Sequence, residues 1–241
     1  MSVIVPLLED IVAQFSPVAL ASSLSAEDMV LTDAIARAEL PIQVFVLDTG
    51  RLHADTLELM QTIRRHYGIE VKVYAPDPDA AAQYVTRHGR DAFYESLELR
   101  RRCCEIRKVE PLKRALAGKR AWITGQRREH APTRARLPLR EYDAAHQLEK
   151  FNPLAEWTEA QVWDYIGVNG VPYNRLYDQG YRSIGCAPCT RPVLPQEELR
   201  AGRWWWEQAD KKECGLHVRN GDRPHFTAEM GSVPILSRHA G

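Results

Sequence analysis

Short apolar runs alternate with amphipathic stretches through the first half of the chain. The runs are typical of buried strands, because each is bounded by turn residues and is only about four to eight residues long. They lie within the segments PVALASSL, PIQVFVLDTG, IEVKVYAP and RAWITGQRR. The intervening segments SAEDMVLTDAIARA and HADTLELMQTIRRHYG place apolar residues at helical spacing. Strands separated by such helices predict an α/β fold with a doubly wound, mostly parallel sheet.

Sequence signals also mark where the helices begin and end. Ser25 is expected to cap the helix after the first strand, with Asp28 at the third helical position. Gly68 is expected to close the next helix, and the segment WTEAQVWDYI opens with a capping box of Thr158 and Gln161. Ligands of a doubly wound sheet bind at the carboxyl ends of its strands. The candidate groups at that edge are Ser23, Ser25, Asp48, Thr49, Gly50 and Gly125.

The chain length of 241 residues fits one α/β domain with an extension better than two full domains. We assign residues 1–190 to the α/β domain and residues 191–241 to a C-terminal helix and tail. The tail is expected to be mobile, because it is rich in Gly, Pro and charge and offers little to bury. The opening segment MSVIVPLLEDIVAQF lacks the features of a secretory signal, and no apolar run is long enough to cross a membrane. A cytoplasmic protein is therefore expected.

The formal net charge of zero conceals a strongly basic stretch. Residues 100–140 contain fourteen Lys and Arg against three Glu and no Asp. A solvated helix face is the simplest interpretation, but the stretch can also form an anion-binding wall. Nucleic acid is the weaker candidate ligand, because Trp122 is the one aromatic residue there that could stack on a base. A small phosphorylated ligand fits better.

The five cysteines fall into two close pairs and one separate residue. Cys186 and Cys189 have the C-x-x-C spacing with which two sulfurs reach one metal centre from a tight turn. On a helix the side chains of Cys103 and Cys104 diverge by about 100 degrees, which suits a wide cluster better than a single ion. In a reducing compartment such cysteines are metal ligands or catalysts more often than disulfides. The grouping favours a 4Fe–4S cluster over zinc.

Basic residues accompany the cysteines along the sequence. Lys108 and Arg100 each lie four residues from Cys104 and share its helical face, where they would neighbour a metal cluster. The remaining thiol, Cys214, lies in the segment KKECGLH, whose cations favour the reactive thiolate. A thiolate on a mobile tail beside an anion-binding wall predicts nucleophilic catalysis.

Eight segments resemble, in the same order, the motifs of one enzyme family. They are SSLSAEDMVL, LDTGRLH, RRCCEIRK, ITGQRRE, NPLAEWTEAQVWDYI, GCAPCT, GRWWWE and KKECGLH. The family is that of the assimilatory adenylylsulfate reductases, the cluster-bearing branch of the adenylylsulfate and phosphoadenylylsulfate reductases. The two cysteine pairs together with the ECGLH tail are the most specific part of the resemblance.

The resemblance implies an adenine nucleotide α-hydrolase-like fold and an activity in sulfate assimilation and cysteine biosynthesis. Adenosine 5′-phosphosulfate (adenylylsulfate, APS) would be reduced to sulfite and AMP. In that scheme the Cys214 thiolate attacks the sulfate sulfur, AMP leaves, and reduced thioredoxin releases the resulting thiosulfonate as sulfite. The family also suggests a homo-oligomer that needs neither nucleic acid nor membrane. A 4Fe–4S cluster would be held by Cys103, Cys104, Cys186 and Cys189.

The resemblance further assigns residues to the substrate site. The phosphosulfate would be held by the basic residues Lys108, Arg134, Arg200 and Arg203. The adenosine side of the site would include Ser23, Ser25, Leu47, Asp48 and Gly125. His217 would lie near the nucleophile Cys214. The chain differs from the family pattern in two places: a residue is absent between SLS and AED, and EHAPTR replaces the usual Gln-Ser pattern before the arginine.

Three other functions are compatible with part of the sequence. Phosphoadenylylsulfate (PAPS) reductase performs the same chemistry on a substrate with an additional 3′-phosphate, but its cluster-free members lack the four paired cysteines. An ATP-dependent tRNA sulfur-transferase requires a Gly-rich phosphate loop, whereas the turn here is SSLSAEDM. A zinc-stabilised nucleic-acid-binding module leaves Cys214 and the sheet unexplained.

Overall fold

A six-stranded sheet with helices on both faces organises the protein. The computed structural model describes residues 4–208 and Leu216. The strands are β1 Val18–Ser22, β2 Ile42–Leu47, β3 Lys72–Tyr74, β4 Ala121–Ile123, β5 Arg140–Asp143 and β6 Leu148–Phe151. The helices are α1 Ile4–Phe15, α2 Ala26–Arg37, α3 Ala54–Tyr67, α4 Pro78–His88, α5 Leu97–Cys104, α6 Glu110–Leu116 and α7 Glu159–Asn169. None of the helices within residues 4–208 is long and apolar enough to span a membrane.

The strand order is β3-β2-β1-β4-β6-β5. β1 pairs in parallel with β2 and β4, and the parallel pairing continues to β3 on one side and β6 on the other. β5 joins the edge as the antiparallel partner of β6. The prediction of a doubly wound, mostly parallel α/β sheet is confirmed, and each of the four predicted strands is present. The β5–β6 hairpin was not predicted.

The alternation of side chains along each strand divides the core into two parts. Val18 and Leu20 of β1 point into the larger part, which helices α1, α2, α3 and α7 complete. Ala19 points to the other face, where it meets Trp122 of β4 and the apolar side of α6. Both faces of β1 are therefore buried, as expected of a central strand in a parallel sheet.

Local signals at the helix ends are confirmed in two of three cases. Gly68 ends α3 in the left-handed conformation, with φ of 69°. Thr158 and Gln161 form the predicted reciprocal capping box of α7. Ser25 occupies the N-cap position of α2 but makes no capping hydrogen bond with its side chain. The predicted C-terminal helix is wrong for the described part of that segment, since residues 191–208 form turns.

A buried carboxylate joins three of the helices in the larger core. Asp33 of α2 is fully buried and accepts hydrogen bonds from the hydroxyls of Tyr67 and Tyr165, each at 2.9 Å. Arg37 completes the set with its Nε atom 2.8 Å from the same carboxylate. Tyr67 is the last residue of α3 and Tyr165 belongs to α7. The Asp33 carboxylate of α2 therefore fixes the positions of these two helices relative to its own.

We expect Asp33→Ala to lower the free energy of unfolding by about 3 kcal/mol, because it leaves buried donors without their acceptor. Arg37→Ala is the matched control: its side chain is half exposed, so we expect a loss of less than about 1 kcal/mol. Urea unfolding of the two variants measures both values. Equal midpoints for Asp33→Ala and the unaltered protein would contradict the assigned role.

Candidate active site

A cleft opens where the parallel strands β1, β2 and β4 end. Its walls come from the turns after these strands, from the chain between α5 and α6, and from residues 182–204. Of the predicted substrate residues, those that line the cleft are Ser23, Ser25, Leu47, Lys108, Gly125, Arg134, Arg200 and Arg203. The structure thus brings together at one edge of the sheet residues that lie far apart in the sequence, as expected from the doubly wound topology.

The turn after β1 is closed by a carboxylate from the helix that follows it. Asp28 accepts hydrogen bonds from the backbone N–H and the hydroxyl of Ser23, at 2.6 and 2.7 Å, and from the N–H of Gly125 at 3.1 Å. These bonds direct the Asp28 carboxylate toward Ser23 and the end of β4, and not back toward the N-cap residue Ser25. Burial raises the pKa of Asp28 to about 6.

Gly125 is required at the end of β4 for a steric reason. A β-carbon at this position would overlap the Asp28 carboxylate and would lie 2.9 Å from the β-carbon of Glu27. Real β-carbons do not approach other atoms so closely. The glycine therefore lets the turns after β1 and β4 meet, and it keeps the floor of the cleft open.

A second polar group forms the cleft wall next to this turn. Glu27 accepts a hydrogen bond from the buried Arg127 and contacts the ring of His130, at 2.8 and 2.9 Å. Burial by itself would raise the pKa of Glu27, but the His130 and Arg127 contacts outweigh it and lower this pKa to about 2. Burial lowers the pKa of His130. Arg134 reaches the same ring, with Nη1 3.4 Å from Nδ1.

Arg203 closes the cleft on the opposite side. Its guanidinium donates to the backbone oxygen of Ile184 at 2.8 Å and stacks over the ring of Trp204, 4.6 Å from the ring centroid. Gly185 makes room for it, because a β-carbon there would lie 2.5 Å from the guanidinium. Lys108, Arg134 and Arg200 complete a cationic lining, which favours an anionic ligand.

Asp48, a predicted substrate residue, is not among the residues that line the cleft. Its carboxylate accepts a hydrogen bond from the N–H of Gly50 at 2.9 Å and so shapes the turn after β2. Gly50 adopts the left-handed conformation, with φ of 68°. The neighbouring Thr49 lines the cleft instead.

The four paired cysteines line one smaller cavity beside the cleft. Cys103 and Cys104 end α5, while Cys186 is the N-cap and Cys189 the last residue of a single 3₁₀ turn. All four are free thiols. Within residues 4–208 and Leu216, no group of three or more His, Cys, Asp or Glu side chains is arranged to hold a single metal ion.

Basic side chains surround this cavity. Arg51, Arg100, Arg107 and Lys108 line it, whereas no carboxylate does so in the described part of the chain. Lys108 also lines the cleft, as do Cys186 and Trp204, so that the cleft and the cysteine cavity share a wall. Such positive charge favours the thiolate over the thiol form of a cysteine in this cavity.

The local environment shifts the pKa values of three of these thiols in different directions. Burial alone would raise the pKa of Cys186, but the charge of Lys108 and a hydrogen bond with Thr49 lower it below its usual value. The Thr49 hydroxyl lies 3.2 Å from the Cys186 sulfur. Burial raises the pKa of Cys103, and it raises that of Cys189 to about 12.

A buried ion pair fastens the C-terminal part of the described chain to the cysteine helix. Arg100 and Glu207 form two hydrogen bonds of 2.8 Å, with exposed side-chain fractions of 0% and 8%. The guanidinium also stacks over Trp204, 4.7 Å from the ring centroid, and hydrogen-bonds Cys104. The backbone N–H of Trp204 in turn donates to the backbone oxygen of Cys189 at 3.0 Å.

The predicted catalytic residues Cys214 and His217 lie outside the described residues. Leu216, which lies between them in the sequence, is described and lines the cleft. Its side chain packs against the smaller core, which contains Phe45, Leu112 and Trp122.

Sequence reasoning missed several residues of the cleft. Glu27 and Asp28 were considered only as parts of a helix start, and their contacts are made with residues about a hundred positions away. His130 belongs to the segment EHAPTR, whose departure from the family pattern was the one available signal. Gln126 also lines the cleft, and its buried Oε1 atom has no hydrogen-bond partner within the described residues.

Comparison with known proteins agrees with this architecture. Residues 17–192 match the model of the phosphoadenosine phosphosulfate reductase domain. An adenosine 5′-phosphosulfate reductase of Allochromatium vinosum is 57% identical over 89% of this chain and 84% of the relative. One of Burkholderia cepacia is 56% identical over 94% and 91%.

Among solved structures, the phosphoadenylyl-sulfate reductase of Candida auris, in its phosphate complex, superposes with a TM-score of 0.68. It is 28% identical, and the match covers 79% of this chain and 90% of that one. The matched sequence includes the strands that form the cleft and all four paired cysteines. The chain therefore belongs to the phosphoadenosine phosphosulfate reductase family.

Proposed function

We propose that this protein is a reductase that converts adenosine 5′-phosphosulfate to sulfite and AMP in sulfate assimilation. The observation that carries the proposal is the wall shared by two sites: a cationic cleft at the strand ends and a cavity lined by four cysteines. The names of the bacterial relatives support adenosine 5′-phosphosulfate as the substrate. The cleft residues Lys108, Arg134, Arg200 and Arg203 would hold its phosphosulfate group.

The four paired cysteines would hold a 4Fe–4S cluster. Their donor set fits, because four free thiols line one cavity whose other walls are basic. When bound, the cluster would supply a polarising group at the edge of the substrate cleft. Lys108 lines both sites and would balance negative charge on either side of the shared wall.

The chemical step would use Cys214 as nucleophile. Its thiolate forms a bond to the sulfur of the phosphosulfate group, the bond between that sulfur and the phosphate oxygen breaks, and AMP leaves with the electron pair. The cleft cations lower the repulsion between the thiolate and the anionic substrate. His217 would lie near the nucleophile. The described residue Leu216, next to His217 and two residues from Cys214, lines the same cleft.

The two electrons would come from a separate dithiol protein, and we propose thioredoxin. One thioredoxin thiolate attacks the Cys214 sulfur and releases sulfite. The second thiol then resolves the mixed disulfide, which leaves oxidised thioredoxin and free Cys214. A homo-oligomeric state and a cytoplasmic location stay predictions.

The nearest alternative is reduction of the 3′-phosphorylated substrate. The family model and the Candida auris structure carry that substrate in their names. The experiment below therefore includes both nucleotides.

Anaerobically purified protein incubated with adenosine 5′-phosphosulfate and no reductant should gain the mass of one SO₃ group. Cys214→Ser should gain nothing, because it lacks the attacking thiolate, and reduced thioredoxin should remove the group from the unaltered protein. Intact-mass spectrometry measures all three results. An adduct formed only with the 3′-phosphorylated nucleotide would establish the alternative substrate. The absence of an adduct with either nucleotide, from protein with its metal in place, would refute the mechanism.

Removing one cysteine of the cavity should abolish the metal centre. We expect the unaltered protein to contain about four irons and four acid-labile sulfides per chain, and Cys186→Ala to contain almost none. Cys214→Ser is the matched control and should retain both, because this cysteine is not one of the four in the cavity. Iron, sulfide and zinc analysis provides the measurement. One zinc per chain without sulfide would contradict a cluster and favour a structural zinc site.

A further inference from the structure

One of the cleft cations, Arg203, lies in a narrow slot. Its guanidinium stacks over the Trp204 ring, with the Cζ atom 4.6 Å from the ring centroid. It also packs against the backbone of Gly185, where a β-carbon would lie 2.5 Å from Nη2 and 2.6 Å from Cζ. Nη1 donates to the backbone oxygen of Ile184 at 2.8 Å. Arg203 is 7% exposed, and it lines the cleft together with both residues that form the slot.

The backbone that carries Arg203 is fixed as well. Residues 202–204 pair in an antiparallel manner with residues 189–191, through backbone N–H···O bonds of 3.0 and 3.1 Å. A β-carbon at Gly202 would overlap a backbone oxygen of the partner segment, so this close approach requires glycine. The Arg203 side chain therefore starts from a fixed point beside the turn that holds Cys186 and Cys189.

Trp204 is a rigid wall of this slot. Its φ is 41°, in the left-handed region that residues with a β-carbon rarely adopt. The residue is 1% exposed, and a second guanidinium, that of Arg100, stacks over its ring at 4.7 Å from the centroid. Strained conformations of this kind persist only where the surrounding contacts enforce them, and they cluster at ligand sites. The ring is thus held in one orientation, with Arg203 against it.

The charge of Arg203 is not used by a carboxylate of the described chain. Arg100, the other guanidinium on the Trp204 ring, is balanced by Glu207, whereas Arg203 forms no such ion pair within residues 4–208. Its buried Nε atom has no hydrogen-bond partner there either. Its charge favours the thiolate form of Cys186 and Cys189. A buried cation without a carboxylate partner retains its charge for a bound anion.

We propose that Trp204 and Gly185 are positioning residues: they hold the guanidinium of Arg203 in one plane, ready for the anionic group of the bound nucleotide. The proposal rests on the proposed function, in which Arg203 holds the phosphosulfate. Both residues act through Arg203 and make no contact with the reacting atoms. An arginine that is already ordered loses little rotamer freedom on binding, so the slot increases the affinity for the ligand.

Binding of adenosine 5′-phosphosulfate to anaerobically purified Cys214→Ser protein, measured by titration calorimetry, separates affinity from chemistry. On this background we expect Gly185→Ala to raise Kd about tenfold, because the new β-carbon displaces the guanidinium from the slot. Gly185 does not adopt a positive φ, so alanine is compatible with its backbone. Gly167→Ala in α7 is the matched control and should leave Kd unchanged, since its β-carbon meets no atom within 4 Å.

Variants of Trp204 test the other wall of the slot without a change next to Cys186. We expect Trp204→Leu to raise Kd about tenfold, because the guanidinium loses the flat face on which it stacks. Trp204→Phe should remain within about threefold of the parent, since a phenyl ring keeps such a face. The neighbouring Trp205 is 39% exposed and lines neither the cleft nor the cysteine cavity, so Trp205→Leu should leave Kd unchanged. Equal losses in Trp204→Phe and Trp204→Leu would refute the stacking role.

The double variant with Arg203 is the decisive measurement. If Gly185 acts through Arg203, then Gly185→Ala should change Kd less than about twofold once Arg203 is alanine. An equal loss of affinity with and without Arg203 would overturn the proposal and assign Gly185 a general structural role.

The iron content of each variant distinguishes the slot from the metal centre. Gly185→Ala and Trp204→Leu should retain the iron of the parent, because both act on the cleft side of the shared wall. A loss of iron that accompanies the loss of affinity would overturn the proposal and place the effect at the cysteine cavity. If the Cys214→Ser parent binds no adenosine 5′-phosphosulfate, the proposed function fails, and the positioning role fails with it. If the parent and both variants bind it equally well, only the positioning role fails.

Discussion

The structure depends on one constraint: cations must balance negative charge at the wall between the cleft and the cysteine cavity. Four thiol groups converge on one small cavity, and an anionic ligand is expected on the other side of the wall. Thiolates in this cavity and an anion across the wall would repel one another strongly unless cations lay beside them. Lys108 lines both sites and lowers the pKa of Cys186, so that it stabilises the thiolate form at the point where the two sites meet.

The other arginines of this wall show how the fold holds cations in place without neutralising the cavity. Arg51 pairs with Asp91 at 2.9 Å, outside the cavity lining, and Arg107 donates to the backbone oxygen of Thr49 at 2.7 Å. Arg100 is balanced by Glu207, which arrives from the far end of the described chain. Each guanidinium is anchored by one edge and can still face the cysteines, because arginine has five donors in a fixed plane.

The same ion pair links the cysteine helix to the segment that leads toward Cys214. Arg100 lies between Glu207 and the ring of Trp204, while Trp204 donates to the backbone of Cys189. The loss of either partner of such a buried pair leaves an uncompensated charge, with a cost of about 3–5 kcal/mol. Residues 204–207 are thus fixed to the elements that carry both cysteine pairs.

The sequence by itself determined the parts of this protein that depend on local patterns. Apolar periodicity identified strands β1 to β4 and helices between them, and Gly68 and the Thr158 capping box marked helix ends. The spacing of the cysteines singled out the two pairs that the structure brings into one cavity. Motif order named eight residues that the structure places along the cleft, because parallel strands carry their ends to one edge whatever their exact lengths.

The tertiary structure decided which polar groups meet across long separations. The β5–β6 hairpin pairs short strands of mixed polar character, which periodicity does not distinguish from a loop. The turns at 191–208, for which a helix was predicted, follow from packing of Trp204 and Arg203 against the cysteine turn, not from local propensity. Asp28 accepts a hydrogen bond from the backbone N–H of Gly125, and Glu27 contacts His130, which lies 103 residues later in the sequence. Such contacts are set by where the sheet places the ends of its strands, and a chain of similar local pattern can arrange them differently.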